Sequence, residues 1–275
     1  MPSRRDVLSS GVWAGLSAAC VPNGDKRLKG EILGRHRAEL AHRLWVPWDR
    51  QPSEVPATAN VVVVGAGILG LAHAYAAASR GHEVALFERL ERAEGASVRN
   101  FGMVLPVAQP LGRERELAMA SRGHWLRLLS EAGLWFRDAG SLHLAYHEDE
   151  WKVLREFQHL EASAGGDAVC LTPDQVLSLS PNVLRPGLLG GLHSRSEINI
   201  DPCEAVGKLP GWLEKRFGVQ CFFSMPVLSV ENGNVVTSRG QVECDQAVIC
   251  SGEDTRTLYP DVYKSFGLRT CKLQM

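Results

Sequence analysis

A chain of 275 residues with 45% hydrophobic content can bury a sizeable core, in one large domain or two modest ones. Its formal charge of -1, with acids and bases interspersed, carries no electrostatic footprint of a nucleic-acid partner. The seven cysteines, at 20, 170, 203, 221, 244, 250 and 271, form no C-x-x-C pair and no His/Cys cluster at ligand spacing, which opposes a zinc or iron-sulfur site and favours buried thiols over a disulfide framework.

The chain opens with Ser3-Arg4-Arg5-Asp6-Val7-Leu8 and a mildly apolar stretch from Val7 to Val21, with small residues Ser17, Ala18 and Ala19 before Cys20. This is the pattern of a twin-arginine export signal over residues 1–20, and the stretch is too short for a spanning helix. The expectation is an exported protein, with a cytoplasmic protein bearing an untargeted leader as the alternative. Residues 21–59 read as a linker or surface-draped arm, because Pro47, Pro52 and Pro56 oppose a long helix while Trp45 and Trp48 offer anchors.

Asn60 to Glu88 then reads as one continuous nucleotide-binding unit. The apolar run Val61-Val62-Val63-Val64 is a buried-type strand, Gly65-Ala66-Gly67-Ile68-Leu69-Gly70 opens a helix closed by Arg80-Gly81, and a second strand ends in Glu88, eighteen residues after Gly70. Each part has a mechanical reason. Gly65 permits a tight turn, Gly67 lets the main chain approach a pyrophosphate, Gly70 lets the helix close on the sheet, and first-turn N–H groups meet the negative charge. Glu88 suits an unphosphorylated ribose, which favours a dinucleotide other than NADP.

Farther along, Gly112 to Ala132 has helical periodicity, with Leu117, Ala120, His124 and Leu128 on one face and Trp125 and Leu129 flanking it. His124 on that stripe reads as a hydrogen-bonded core or boundary histidine rather than a base. Gly140 to Tyr146 reads as a strand, Glu148 to Ala162 as an amphipathic helix and Ala168 to Leu171 as a short strand, while Thr172 caps a helix with Pro173 in its first turn. Asp201-Pro202 repeats that cap and starts a helix toward Phe217, ended by Gly218. Pro210 inside it predicts a kink or break, at a cost of about 3 kcal/mol. The remainder is strand-rich: Val219 to Phe223, Pro226 to Glu231, a hairpin tip at Asn232-Gly233-Asn234, Val235 to Ser238, and Gln246 to Cys250, read as an added sheet followed by a return to the main one.

Several landmarks share one order with a known family. Ala74 and Gly81 extend the glycine motif, and they are followed by Gly95-Ala-Ser97-Val-Arg99-Asn100-Phe101-Gly102-Met103, Glu197-Ile-Asn-Ile-Asp201-Pro202, Met225-Pro-Val227 and Ala247-Val-Ile-Cys-Ser251-Gly252-Glu-Asp-Thr255. From Asn60 to Met275 the chain resembles the FAD-dependent oxidoreductases of the D-amino acid oxidase-like (DAO) family, and the closing Cys271-Lys272-Leu-Gln-Met275 is similar to a branch associated with phosphonate catabolism. The resemblance implies an α/β fold: a Rossmann-like FAD-binding domain with a parallel sheet, made discontinuously from residues 60–105 and 200–256, and an inserted partial α+β substrate domain from 106–199 and 257–275.

By the same resemblance the main chain at Gly65, Ala66, Gly67, Ile68, Leu69 and Gly70 holds the FAD pyrophosphate. Glu88 takes the adenosine ribose, Arg89 shapes the adenosine site and Val227 lies at the adenine edge. Ser97, Arg99, Asn100, Gly102 and Met103 lie along the isoalloxazine or pyrophosphate, and Ser251-Gly252 marks where the nucleotide passes the carboxyl edge of the sheet. The implied reaction is hydride transfer to flavin from the carbon beside an amine or amino-acid nitrogen, with dioxygen or another acceptor reoxidising the cofactor. No catalytic side chain is assigned, and His143, His193 and Lys272 are the conceivable contributors. The family pattern continues past the equivalent of Met275, so the chain reads as a fragment of it. A noncatalytic nucleotide-binding remnant and an NAD-dependent dehydrogenase are the alternatives, and the loop from Arg99 to Met103 argues against the latter.

Overall fold

The computed structural model describes Pro52 and residues 54–268. The expected export signal over 1–20, most of the arm over 21–59, Cys271 and Lys272 lie outside the described residues. In chain order the first strands are β1 (Thr58–Val64), β2 (Val84–Phe87), β3 (Met103–Val104), β4 (Phe136–Asp138), β5 (Ser141–Ala145) and β6 (Val169–Leu171). They are followed by β7 (Gly190–Ser194), β8 (Ile198–Ile200), β9 (Gln220–Phe222), β10 (Val227–Glu231), β11 (Asn234–Thr237) and β12 (Gly240–Ile249). The helices are α1 (Ile68–Ala78), α2 (Arg113–Ala132), α3 (Glu148–Ser163), α4 (Pro173–Leu179), α5 (Pro202–Phe217) and α6 (Pro260–Ser265).

The main sheet has the order β10-β11-β12-β1-β2-β9, in which β12, β1, β2 and β9 run parallel and β11 pairs antiparallel with both β12 and β10. The valine run of β1 is why the sheet is covered on both faces. Val61 and Val63 enter one apolar cluster with Leu86, Leu71, Ala74, Leu209 and Leu213, whereas Val62 and Val64 enter a second with Ala85, Phe87, Phe222 and Met225. Alternation along an unbroken apolar strand thus feeds two cores, as parallel sheets require. On the first face α1 and α5 supply the cover; on the second, the rings of Phe87 and Phe222 stack with centroids 4.9 Å apart.

Two smaller antiparallel sheets, β3-β8-β4 and β5-β7-β6, come from the chain between β2 and β9. The expected added sheet after residue 219 is corrected: the hairpin is continuous with the main sheet. Asn232 (φ 49°) and Gly233 (φ 79°) form its two-residue tip, the conformation an Asn-Gly turn adopts to match strand twist. β12 also starts at Gly240 rather than Gln246, because its first half pairs with β11 and its second half, from Glu243, pairs with β1.

Local signals place the helices well. Asp201 Oδ1 accepts the Glu204 N–H at 2.9 Å, α5 begins at Pro202, and Gly218 closes it in the left-handed region at φ 73°. The expected break at Pro210 does not occur. Pro210 is buried on the core side of α5 beside Leu209 and Leu213, and that packing carries the helix through the missing backbone bond. For α2 the expected buried stripe is wrong over most of its length: Leu117 is 61% exposed and Ala120 and His124 face solvent, while Leu128 and Leu129 carry the burial with Trp125 and Leu126 beside them. His124 is therefore a surface residue, in edge contact with Tyr75 and near the Arg127 guanidinium. No helix among the described residues is long and apolar enough to cross a membrane.

Candidate functional site

The turn that leaves β1 is shaped by two glycines that the fold itself demands. Gly65 has φ +104°, and a Cβ there would lie 2.3 Å from the Cys250 carbonyl oxygen at the end of β12. A Cβ on Gly70 would lie 1.8 Å from the Gly65 carbonyl oxygen, so the first turn of α1 sits directly on the loop. Gly67 differs. Its φ of -66° suits any residue, and a Cβ there would meet only the Ser97 hydroxyl, at 3.1 Å. The approach to α1 is thus open at Gly67. Around it the Ile68 N–H donates to Ser97 Oγ at 3.0 Å, while the N–H groups of Gly67 and Leu69 have no acceptor among the described residues. Helix-terminal donors beside an open main chain are a donor set for a diphosphate.

Glu88 is built into this turn. It is 8% exposed, its Oε2 accepts the Ala66 N–H at 2.9 Å and its Oε1 accepts the Leu90 N–H at 3.1 Å. A carboxylate offers about four acceptor positions, so about two remain beyond these N–H bonds. The main chain of Glu88 donates to Phe222 and accepts from Met225 at 2.9 Å, which brings the start of β10 to the same corner. Val227 follows two residues later with its side chain buried in the second core. Arg89 is ion-paired with Asp254 at 2.6 Å.

The loop after β2 supplies the next wall. Ser97 lies in a short 3-10 turn, Ala96–Val98. Asn100 closes the loop on itself: Nδ2 donates to the Ser97 carbonyl at 2.6 Å and Oδ1 accepts the Gly102 N–H at 2.8 Å. Gly102 has φ +64°, and a Cβ there would lie 2.0 Å from the Ile200 carbonyl oxygen, so this glycine is required for docking on β8. Asn100 and Gly102 therefore shape the loop, and Arg99, Phe101 and Met103 are the side chains it exposes.

At the end of β12, Ser251 Oγ donates to the Asp254 carbonyl at 2.8 Å and Gly252 turns at φ +63°. The Asp254 carboxylate accepts from Thr257 Oγ1 and from the N–H groups of Arg256 and Thr257. The Thr257 hydroxyl is the largest cause holding its pKa below the ordinary aspartate value; burial opposes it, and the N–H groups of Arg256 and Thr257 and the nearby Arg89 add to the lowering. Asp254 is a member of this corner that reading for glycine motifs misses; the Asp-x-x-Thr spacing of a side-chain-closed turn is its signal.

The structure thus gathers Gly65 to Gly70, Glu88, Arg89, Ser97 and Ser251-Gly252 around the carboxyl ends of β1, β2 and β12. The histidines are elsewhere. His143 in β5 contacts Ser141 Oγ at 3.0 Å, Ser141 donates to Glu197, and the buried Glu197 also accepts the Val107 N–H at 2.9 Å. His193 lies in β7, and neither histidine hydrogen-bonds to the turn. Among the described residues, Cys221 and Cys244 are buried and Cys170, Cys203 and Cys250 half-buried, all five of them free thiols whose pKa burial raises.

The family model described as DAO, FAD dependent oxidoreductase, matches residues 60–275. The chain is 32% identical over 215 residues to a glycine oxidase of Bacillus licheniformis, covering 74% of this chain and 56% of that one. It is 27% identical over 207 residues to the mitochondrial pyruvate dehydrogenase phosphatase regulatory subunit of Mus musculus, covering 72% of this chain and 23% of that one. Its fold matches the crystal structure of a glycine oxidase from Bacillus cereus with a TM-score of 0.64 at 24% identity, covering 74% of this chain and 58% of that one. The chain thus spans little over half the length of the glycine oxidases it matches.

Proposed function

Because the chain belongs to the DAO family of FAD-dependent oxidoreductases, we propose that it binds FAD at the turn between β1 and α1 and oxidises an amine or amino acid at a C–N bond. The observation that carries this reading is the convergence on one open glycine: Glu88 from β2 holds the Ala66 N–H, Ser97 from the next loop holds the Ile68 N–H, and the Gly67 main chain between them is uncovered. The first-turn N–H groups meet the pyrophosphate, Glu88 keeps two acceptor positions for the ribose, and the start of β10 at Val227 supplies the adenine edge. Arg99 and Met103 extend from the loop toward the isoalloxazine end, with Ser97, Asn100 and Gly102 setting that loop's course. FAD, when bound, supplies the acceptor for a hydride from the carbon beside the substrate nitrogen. Orientation by the chain's own groups is then the main demand, rather than a strong side-chain base.

The glycine oxidase relatives support an amino acid as substrate, with dioxygen or another acceptor completing the cycle. Purified protein tests the proposal. A yellow chromophore with flavin absorbance, bleached without air by glycine or another amino acid, is the expected result, and peroxide formed in air identifies dioxygen as acceptor. Colourless protein that binds adenosine nucleotides alone supports a second reading, a noncatalytic nucleotide-binding remnant. The regulatory subunit among the relatives, and the little over half of the glycine oxidases' length spanned here, favour keeping that reading in the test.

Residues 60–105 and 200–256, which supply most of the six-stranded sheet, form the FAD-binding part, and 106–199 with 257–275 form part of the substrate side. Arg4-Arg5 ahead of the stretch from Val7 to Val21 supports export in folded form, which would retain a cofactor acquired where the chain is made. Fractionation of cells expressing Arg4→Lys/Arg5→Lys beside the unaltered chain tests it: unchanged distribution rejects this route.

A further inference from the structure

The carboxyl edge of the main sheet carries an ionic link between strands that are not neighbours. Arg89 follows β2, Asp254 follows β12, and β1 lies between those strands, yet Arg89 Nη1 and Asp254 Oδ2 are 2.6 Å apart. Adjacent strands are about 4.8 Å apart, so the pair reaches across the end of β1, the point where the Gly65–Gly70 turn leaves the sheet.

The two partners are unequal. The Asp254 side chain is 14% exposed and fixed by Thr257 Oγ1 at 2.7 Å and by the N–H groups of Arg256 at 3.1 Å and Thr257 at 3.0 Å. Its own turn is locked by Ser251, which bonds it through both the hydroxyl and the carbonyl. The Arg89 side chain is 46% exposed and its guanidinium has Asp254 as its hydrogen-bond partner among the described residues. A rigid anion therefore captures a flexible cation, and the captured residue is the one next to Glu88, whose carboxylate spans Ala66 and Leu90.

We infer that Arg89 and Asp254 are positioning residues: their ion pair straps the Glu88–Leu90 segment to the Ser251–Gly252 turn and so sets the width of the adenosine half-site. This rests on the FAD reading given above. A half-exposed pair of this kind contributes little to global stability, on the order of 0–1 kcal/mol. Its effect falls instead on a ligand whose binding needs both walls at a fixed separation, since ordering that the protein has already done is not charged to the complex.

The test uses the FAD-loaded protein and three variants, Arg89→Gln, Asp254→Asn and the double variant. In Asp254→Asn the side-chain amide oxygen can still accept the N–H bonds that close this turn, so the substitution removes the charge and leaves the loop. FAD release is followed by the rise of flavin fluorescence on dilution, at low and high salt. Each single variant is expected to release FAD about fivefold faster and the double variant no faster still, with the salt dependence of the parent lost in all three. The melting temperature of FAD-free protein should not follow that order, which separates a strap from a merely structural contact. Equal release rates in parent and Arg89→Gln, or additive effects in the double variant, overturn the strap. Should the parent carry no flavin, the FAD reading itself fails, and calorimetry with ADP still decides the strap: equal ADP affinity in parent and Arg89→Gln overturns it.

Discussion

Ala66 donates its backbone N–H to Glu88 Oε2 across 2.9 Å, so the acid that ends β2 is part of the turn that ends β1. One side chain thereby sets the shape of the turn and, in the proposed function, also receives the ribose. Glu88→Ala removes both contributions. Dinucleotide affinity should fall by about 1–3 kcal/mol, the range for losing a charged hydrogen-bond partner. Glu88→Gln, which keeps one amide oxygen for Ala66, should fall between the parent and Glu88→Ala. Calorimetry with ADP or FAD decides it, and equal affinities would reject the role.

Gly67 and Gly70 should fail in different ways. A side chain at Gly67 meets a rotatable hydroxyl 3.1 Å away in an ordinary backbone conformation, so Gly67→Val should fold and melt near the FAD-free parent while losing the cofactor. A Cβ at Gly70 lies 1.8 Å from a backbone oxygen that cannot move without dragging the turn, so Gly70→Ala should lose at least about 1–3 kcal/mol of stability. Unchanged flavin content in Gly67→Val would remove the assigned pyrophosphate site; an unchanged melting temperature in Gly70→Ala would contradict the helix-on-turn contact.

The nucleotide unit is legible in the sequence because its signals are local: a valine run, three spaced glycines and one acid. The helix α5 is legible to the residue for the same reason, with Asp201 to start it and Gly218 to stop it. What escapes depends on distant partners. The two- and three-residue strands β3, β4 and β8 exist only because they pair across long sequence gaps, as Met103 does with Asn199. In β7, a Cβ on Gly190 would lie 2.6 Å from the Leu171 carbonyl oxygen and 2.8 Å from the Trp151 ring, so crowding by β6 and α3 is what calls for glycine. The face of α2 is misread from sequence because apolar residues occur all round it, and those that reach the core, Leu128 and Leu129 with Trp125, Leu126 and Ala132 beside them, lie in its second half. Likewise Glu88 is legible as the acid that ends β2, but its grip on Ala66 is not.

Asp254 links stability to pH in a defined direction. Its folded-state pKa lies below the ordinary aspartate value because Thr257, the two N–H groups and Arg89 favour the anion. The contribution is thus present above the unfolded pKa and lost as pH falls through the depressed folded one, since the unfolded chain takes up the proton first. The melting-temperature gap between the parent and Asp254→Asn should be constant near neutrality and close in the acid range below the ordinary aspartate pKa. A gap that persists unchanged through that range would show that the charge is not what the turn uses.

Arg115 and Glu161 join α2 to α3 through a buried pair, with Nη1 2.5 Å from Oε1 and the carboxylate side chain 1% exposed. Arg115 Nη2 reaches further, to the carbonyls of Val107 and Gln109, while its buried Nε has no hydrogen-bond partner among the described residues. Removing one partner leaves the other charge stranded, so Glu161→Ala should cost about 3–5 kcal/mol. Removing both charges is different. Arg115→Met/Glu161→Leu restores an apolar filling of similar volume and eliminates the stranded charge and the unpartnered Nε together, which should make the double variant more stable than Glu161→Ala alone. Urea denaturation of the parent, the single variant and the double variant orders the three, and a double variant weaker than the single one would show that the carbonyl bonds of Arg115, not the charge pairing, hold this corner.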